Sequence, residues 1–182
     1  MRPAVLALNG AAASGAMSGD SIGVIANRYP SRFLPADWTF SIWSVIYLGL
    51  ILSAGYQLSR ARGAAESVAR LGPWWVITGA LNVAWITLFS FGLFGLALLV
   101  MVGFLVALVV VGARLRAEGA PDGWAARAFV RWPFDVYLAW ISVALISNAF
   151  QYAHVVQWGG AGIPEATWAQ YGIAARQALP PS

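Results

Sequence analysis

Of 182 residues, 60% are hydrophobic and 10% charged, with a mean hydropathy of +0.70; soluble domains carry about 25% charged residues, so a soluble globular fold is excluded. The net charge of +4 comes from eleven arginines with no lysine, a surplus that in a membrane protein sets topology rather than nucleic-acid contact. The absence of cysteine removes disulfides, thiolate metal ligands, c-type haem attachment and a cysteine nucleophile. Ten Trp, nine Phe and six Tyr exceed what an interfacial belt requires, so some of these rings are expected to line an interior.

Residues 3–26 are mildly apolar, with Gly15, Gly19 and Gly23 spaced at four and Asp20 the single acid. The clean apolar part, Pro3 to Met17, is shorter than the roughly 20 residues of a spanning helix, which reads as a short or partial first span. A close-packing or dimerising helix and a cleaved signal peptide are the other readings. Pro30, Pro35, Arg28 and Arg32 mark a loop, after which Asp37 can cap a helix predicted over 38–59. Phe40, Trp43 and Tyr47 follow at offsets of three and four and share one face of it.

A polar loop is expected over 60–73, closing on Gly72-Pro73, and a second span over 74–91 opens on the interfacial pair Trp74-Trp75. After a short break at Ser90-Phe91-Gly92, the 93–113 segment is the most uniformly apolar and reads as a lipid-facing or scaffold span. A second basic loop covers 114–131. The last span, 132–153, is expected to start at Trp132-Pro133, with Asp135 in its first turn favouring the positive end of the helix dipole. An extramembrane tail follows over 157–182, with a short helix candidate from Pro164 to Leu179 in which Trp168, Tyr171, Ala175 and Leu179 suit a helix lying on a membrane surface or, equally, packed on a partner. The expected fold is an all-α integral membrane protein, a single helical domain over 1–182 with four clear transmembrane helices and a short or partial N-terminal one.

Topology follows from arginine. Loop 60–73 holds Arg60, Arg62 and Arg70, loop 114–131 holds Arg114, Arg116, Arg127 and Arg131, and the break at 90–92 holds none. Both loops are therefore expected in the cytoplasm of a bacterial inner membrane, with the Pro35 turn and the C-terminal tail outside.

Polar side chains inside hydrocarbon are costly, so those present mark a ligand site or a helix-to-helix hydrogen bond. Asn82, Trp85 and Phe89 fall on one face of the second span, and Tyr137, Trp140, Ala144 and Asn148 on one face of the last, where the small Ala144 leaves room for a flat ligand beneath Trp140. With Trp43 and Tyr47 these define a shared aromatic pocket; for Asn82 and Asn148 the interhelical bond stands as the alternative to a ligand contact. His154, the single histidine, is a candidate axial ligand to haem iron or chlorophyll magnesium, or else a hydrated surface residue. No Ser-His-acid set, phosphate loop or metal-ligand cluster is visible, which makes an enzyme the weaker class.

The same residues carry a family resemblance. Pro35, Trp38, Phe40, Trp43 and Tyr47, then Asn82, Trp85 and Phe89, then Tyr137, Leu138, Trp140, Ala144 and Asn148 reproduce in order three motifs of the TspO/MBR family. This family comprises the tryptophan-rich sensory proteins and the mitochondrial translocator proteins. The chain looks closest to its divergent bacterial branch. It departs from the pattern in lacking the Trp-Trp-Pro-Pro character before 38 and a recognisable sterol-associated segment after Asn148. The resemblance implies a five-helix bundle, often dimeric, with a pocket lined by Trp43, Asn82, Trp140 and Ala144 that binds tetrapyrroles and, in some members, sterols. The function it suggests is a membrane receptor or carrier for a planar hydrophobic ligand: a porphyrin, haem or chlorophyll-type pigment, or a lipid. The alternative is an accessory transmembrane subunit of a larger assembly, a pigment-bearing photosynthetic complex among the candidates. Expected partners are membrane lipid, the ligand, and either a second copy or other subunits.

Overall fold

The structure, a computed structural model, describes residues 41–59, 63–117 and 123–159 together with a few isolated positions. The expectations for residues 3–26, the Asp37 cap, Phe40 and the tail helix fall outside the described residues. Every regular element among the described residues is helical.

Helix α1 spans Ile42–Leu58 and ends where Ser59 turns its hydroxyl onto the Tyr56 carbonyl at 2.6 Å. Its 17 residues cover about 25 Å, somewhat less than a hydrocarbon core of about 30 Å. The following segment, expected as a polar loop, contains helix α2, Ala64–Leu71. Ala64, Ser67 and Leu71 are buried at offsets of three and four, while Glu66 and Arg70 pair across one turn at 3.5 Å. Charge made the stretch look like a loop, but that charge lies on one side of a short amphipathic helix. Gly63 (φ 86°) and Gly72 (φ 48°) bound it, each in a conformation that a side chain would strain.

Helix α3, Trp74–Ser90, is set at 58° to α2. It ends in a Schellman motif, in which Leu93 N–H reaches the Leu88 carbonyl at 2.9 Å and Gly92 N–H the Phe89 carbonyl at 3.0 Å. Gly92 sits at φ 72°, the left-handed position this motif requires. Helix α4, Phe94–Arg116, continues a turn past the expected end, through Arg114 and Arg116. One of its sides is buried at Phe94, Ala97, Met101, Phe104, Leu108, Val111 and Leu115, whereas Leu96, Leu99, Val102, Val106 and Val109 are exposed for lipid. It is thus a central scaffold with a lipid-facing stripe.

Helix α5 runs from Trp124 to Val155, beginning two turns before the expected start at Trp132. Pro133 does not initiate the helix but lies inside it. A proline in a helix lacks the N–H that would reach the carbonyl four residues back, and its ring crowds that carbonyl. Here the backbone widens ahead of it into a π turn, Arg127–Arg131, in which Trp132 N–H bonds the Arg127 carbonyl five residues back. Asp135 is consequently well inside the helix and not at its positive end. It forms an ion pair with Arg116 at the end of α4.

Helix α4 packs along both α3 and α5, α1 packs on α5, and α2 lies against α1 and α4. The α1–α5 contact is close because Gly49 faces Pro133: a Cβ at Gly49 would stand 3.1 Å from the proline Cβ. Helices α4 and α5 are each long and apolar enough to cross a membrane, and the α2–α3 pair qualifies as a third, bent span. Val45, Leu48, Ile51 and Leu52 on α1 and Val143 and Ile146 on α5 present further large apolar side chains outward. The chain is a multi-pass helical bundle.

Candidate functional site

Three helices converge on Trp43. Its indole stacks on Tyr47 of the same helix (centroids 5.5 Å apart) and on Trp85 of α3 (5.9 Å, planes inclined by 23°). The edges of two α5 rings meet it at 6.0 Å (Tyr137) and 6.2 Å (Trp140). Offset stacking and edge-to-face contact are the arrangements that aromatic quadrupoles favour, each contributing about 0.5–1.5 kcal/mol beyond area burial. These residues meet because helical spacing puts each set on one face and α1, α3 and α5 turn those faces inward.

The polar members are arranged in two layers. Trp85 donates its Nε1–H to Asn148 Oδ1 at 3.1 Å, and Asn148 returns its own Nδ2–H to the Ala144 carbonyl at 2.9 Å. Of the two roles open to Asn148, the structure shows the interhelical bond, which ties α3 to α5. Asn82 is fully buried, and its amide interacts with the hydroxyls of both Tyr47 and Tyr137. Tyr47, Asn82 and Tyr137 therefore make a small uncharged polar centre inside the aromatic shell, one group from each helix. Tyr137, Trp140 and Ala144 are buried, while Trp43 and Tyr47 remain half-buried.

All eight residues singled out in the sequence belong to this interior: Trp43, Tyr47, Asn82, Trp85, Tyr137, Trp140, Ala144 and Asn148. His154 does not join them. It is exposed in the last turn of α5, where its carbonyl accepts the Gln157 N–H. Among the described residues no group of three potential metal ligands occurs. Two rings went unanticipated. Phe104 of α4 sets its edge on Tyr137 at 5.2 Å, and Phe94 meets Phe89 at 5.3 Å, extending the shell from Trp85 through Phe89 at 5.6 Å. Only the spacing of Phe94, Met101 and Phe104 could have signalled them, because α4 is apolar all round and hydropathy does not distinguish its sides.

The rings lie in mutual contact. A flat ligand held between two rings needs about 7 Å between their planes, two contacts of about 3.5 Å each, whereas Trp43 and Trp85 have centroids 5.9 Å apart. Any ligand inserted there displaces Trp43 from Trp85; one lying on the half-buried Trp43–Tyr47 side does not.

A family model described as TSPO-like protein matches residues 3–179. No match is found among curated proteins or among solved structures. With a match over almost the whole length and the motif faces of three helices meeting in the bundle interior, the chain belongs to the TSPO-like protein family.

Proposed function

We propose that this membrane protein is a receptor or carrier that binds a planar hydrophobic ligand of the tetrapyrrole class at the Trp43 cluster. The observation that carries the reading is the convergence of Trp43, Tyr47, Trp85, Tyr137 and Trp140 around one uncharged polar centre. Aromatic faces favour a flat conjugated ring, and the Asn82 amide with the two tyrosine hydroxyls can orient a polar edge of it. Asn148 supports the site by fixing Trp85. The cluster holds no carboxylate or imidazole, the groups that most often serve acid–base catalysis near neutral pH, which favours binding over catalysis. By the positive-inside rule the arginine-bearing segments 60–73 and 114–131 face the cytoplasm of an inner membrane.

Titration of the detergent-solubilised protein with protoporphyrin IX, followed by tryptophan quenching, tests this. Trp43→Ala and Trp140→Ala are expected to weaken binding by about tenfold or more, equivalent to about 1.4 kcal/mol. Trp158→Ala, at the exposed end of α5, should leave it unchanged. Equal affinity in wild type and Trp43→Ala would remove the cluster from consideration.

A further inference from the structure

The first part of α5 has two unlike sides. Trp124 (76% exposed), Arg127, Ala128 and Trp132 (54%) are exposed and Arg131 is half-buried, whereas Ala126, Val130, Pro133 and Phe134 are buried. Offsets of three and four from Trp124 through Arg127 to Arg131, and from Ala128 to Trp132, put the two arginines on the side of the two tryptophans. The neighbouring helix ends add cations. Arg116 reaches over to Asp135, and Arg114 lies 5.8 Å above the ring of Trp74. Helix α2 adds Arg70, paired with Glu66.

At this end of the bundle the described residues hold five arginines, at 70, 114, 116, 127 and 131, against the two acids Glu66 and Asp135, an excess of 5 − 2 = +3. Both acids already have arginine partners. Adding the four residues of the same loops known from sequence alone, Arg60, Arg62, Glu118 and Asp122, leaves the excess at 7 − 4 = +3.

We propose that this face binds anionic phospholipid headgroups in the adjoining leaflet. The Arg116–Asp135 pair sets Asp135 level with the end of a membrane-crossing helix, so Trp132 and Arg131 follow within about 6 Å along α5, inside the headgroup layer, and Arg127 and Trp124 continue outward from it by about 12 and 17 Å. Exposed indoles at that depth partition into the headgroup boundary, and guanidinium forks match phosphate oxygens in geometry and charge. A soluble acidic partner would satisfy the arginines but not Trp132, which projects from the flank of a spanning helix within about 5 Å of the level of Asp135. The inference is independent of what the Trp43 cluster binds.

The test is reconstitution of the full chain in vesicles doped with brominated phosphatidylglycerol or, at equal mole fraction, brominated phosphatidylcholine, with tryptophan quenching as the readout. The anionic lipid is expected to quench more, and the excess to shrink in 1 M salt, where the screening length is about 3 Å. Arg127→Gln with Arg131→Gln should lower the relative affinity for the anionic lipid by about fivefold per arginine. Arg127→Lys with Arg131→Lys should retain most of the preference, which separates lost charge from a damaged fold. Trp124→Phe with Trp132→Phe should remove the excess quenching but leave selectivity intact when bound phosphatidylglycerol is counted by native mass spectrometry. Equal quenching by the two lipids in the wild type, or an excess that the glutamine pair leaves unchanged, overturns the proposal.

Discussion

Replacing Asn148 by alanine and Trp85 by phenylalanine, singly and together, isolates the indole–amide hydrogen bond that joins α3 to α5 inside the candidate site. The Trp85 Nε1–H meets Asn148 Oδ1 at 3.1 Å, with the two residues 3% and 7% exposed, so neither group can turn to water when its partner is lost. Asn148→Ala strands a buried indole N–H, which costs about 1–3 kcal/mol. Trp85→Phe strands the amide oxygen instead and weakens the contacts with Trp43 and Phe89, each of about 0.5–1.5 kcal/mol. Once both are replaced, neither orphan remains, so the double variant should be more stable than the sum of the single losses predicts. The expected coupling is about 0.6 kcal/mol and at most about 1.7, the range of hydrogen bonds between membrane helices. Reversible unfolding in mixed micelles, followed by circular dichroism, measures it. A cycle that closes to within about 0.3 kcal/mol, the scatter of independent sites, would refute the clamp. The same variants separate clamp from ligand contact: Asn148→Ala should weaken protoporphyrin binding less than Trp43→Ala does.

Gly49→Val should destabilise the bundle by about 1–3 kcal/mol, since even a Cβ there would stand 3.1 Å from the ring of buried Pro133. Gly103→Ala, whose Cβ meets nothing closer than Leu81 Cδ2 at 4.0 Å, should be neutral or stabilising, and thermal melts in detergent compare the two. Gln157 ends α5 at φ 52°, a left-handed position that costs a non-glycine residue, so Gln157→Gly should raise stability by up to about 1 kcal/mol in the same melts. Pro133→Ala restores an N–H able to reach the carbonyl of Phe129; the π turn should close to ordinary α-helix, and hydrogen exchange over 127–133 should slow. Unchanged exchange there would mean that the wide turn has a cause other than the proline.

The site was more legible in the sequence than the elements around it. Trp43, Asn82, Trp85, Trp140 and Asn148 stood out because rings and amides are conspicuous against an aliphatic background and recur at offsets of three and four. Their grouping across helices followed from the cost of leaving an amide in hydrocarbon. Less legible was anything that hydropathy alone had to decide. Helix α2 is too short for a period to show, and its charges masked the buried Ala64, Ser67 and Leu71. Trp132-Pro133 has the composition of a helix start, and nothing local distinguishes that from a proline accommodated by a π turn. The difference is decided in space, by Gly49 receiving the proline ring and by Phe129 stacking on Tyr56 at 6.0 Å. The role of Phe104 was hidden for a related reason, since α4 is equally apolar toward protein and lipid.

These contacts bear on how a flat ligand would enter. Helix α1 is fastened to α5 at Gly49 and Pro133 and again at Tyr56 and Phe129, whereas it meets α3 through Trp43 on Trp85 and Tyr47 on Asn82. Parting α1 from α5 would therefore disturb close backbone packing, which is stiff. Parting α1 from α3 at the cluster disturbs a ring contact of about 0.5–1.5 kcal/mol and the Tyr47–Asn82 contact of about as much again, together still a minor fraction of the roughly 8 kcal/mol released by a micromolar ligand. The Trp43–Tyr47 stack lies within α1 and survives that movement. Trp85 stays in place through its bond to Asn148. The side that yields is thus the one between α1 and α3, with Trp43 and Tyr47 as the moving wall and Trp85 as the fixed one. This division gives a reason for the only half-burial of Trp43 and Tyr47, beside an Asn82, Trp85 and Tyr137 that are almost wholly enclosed.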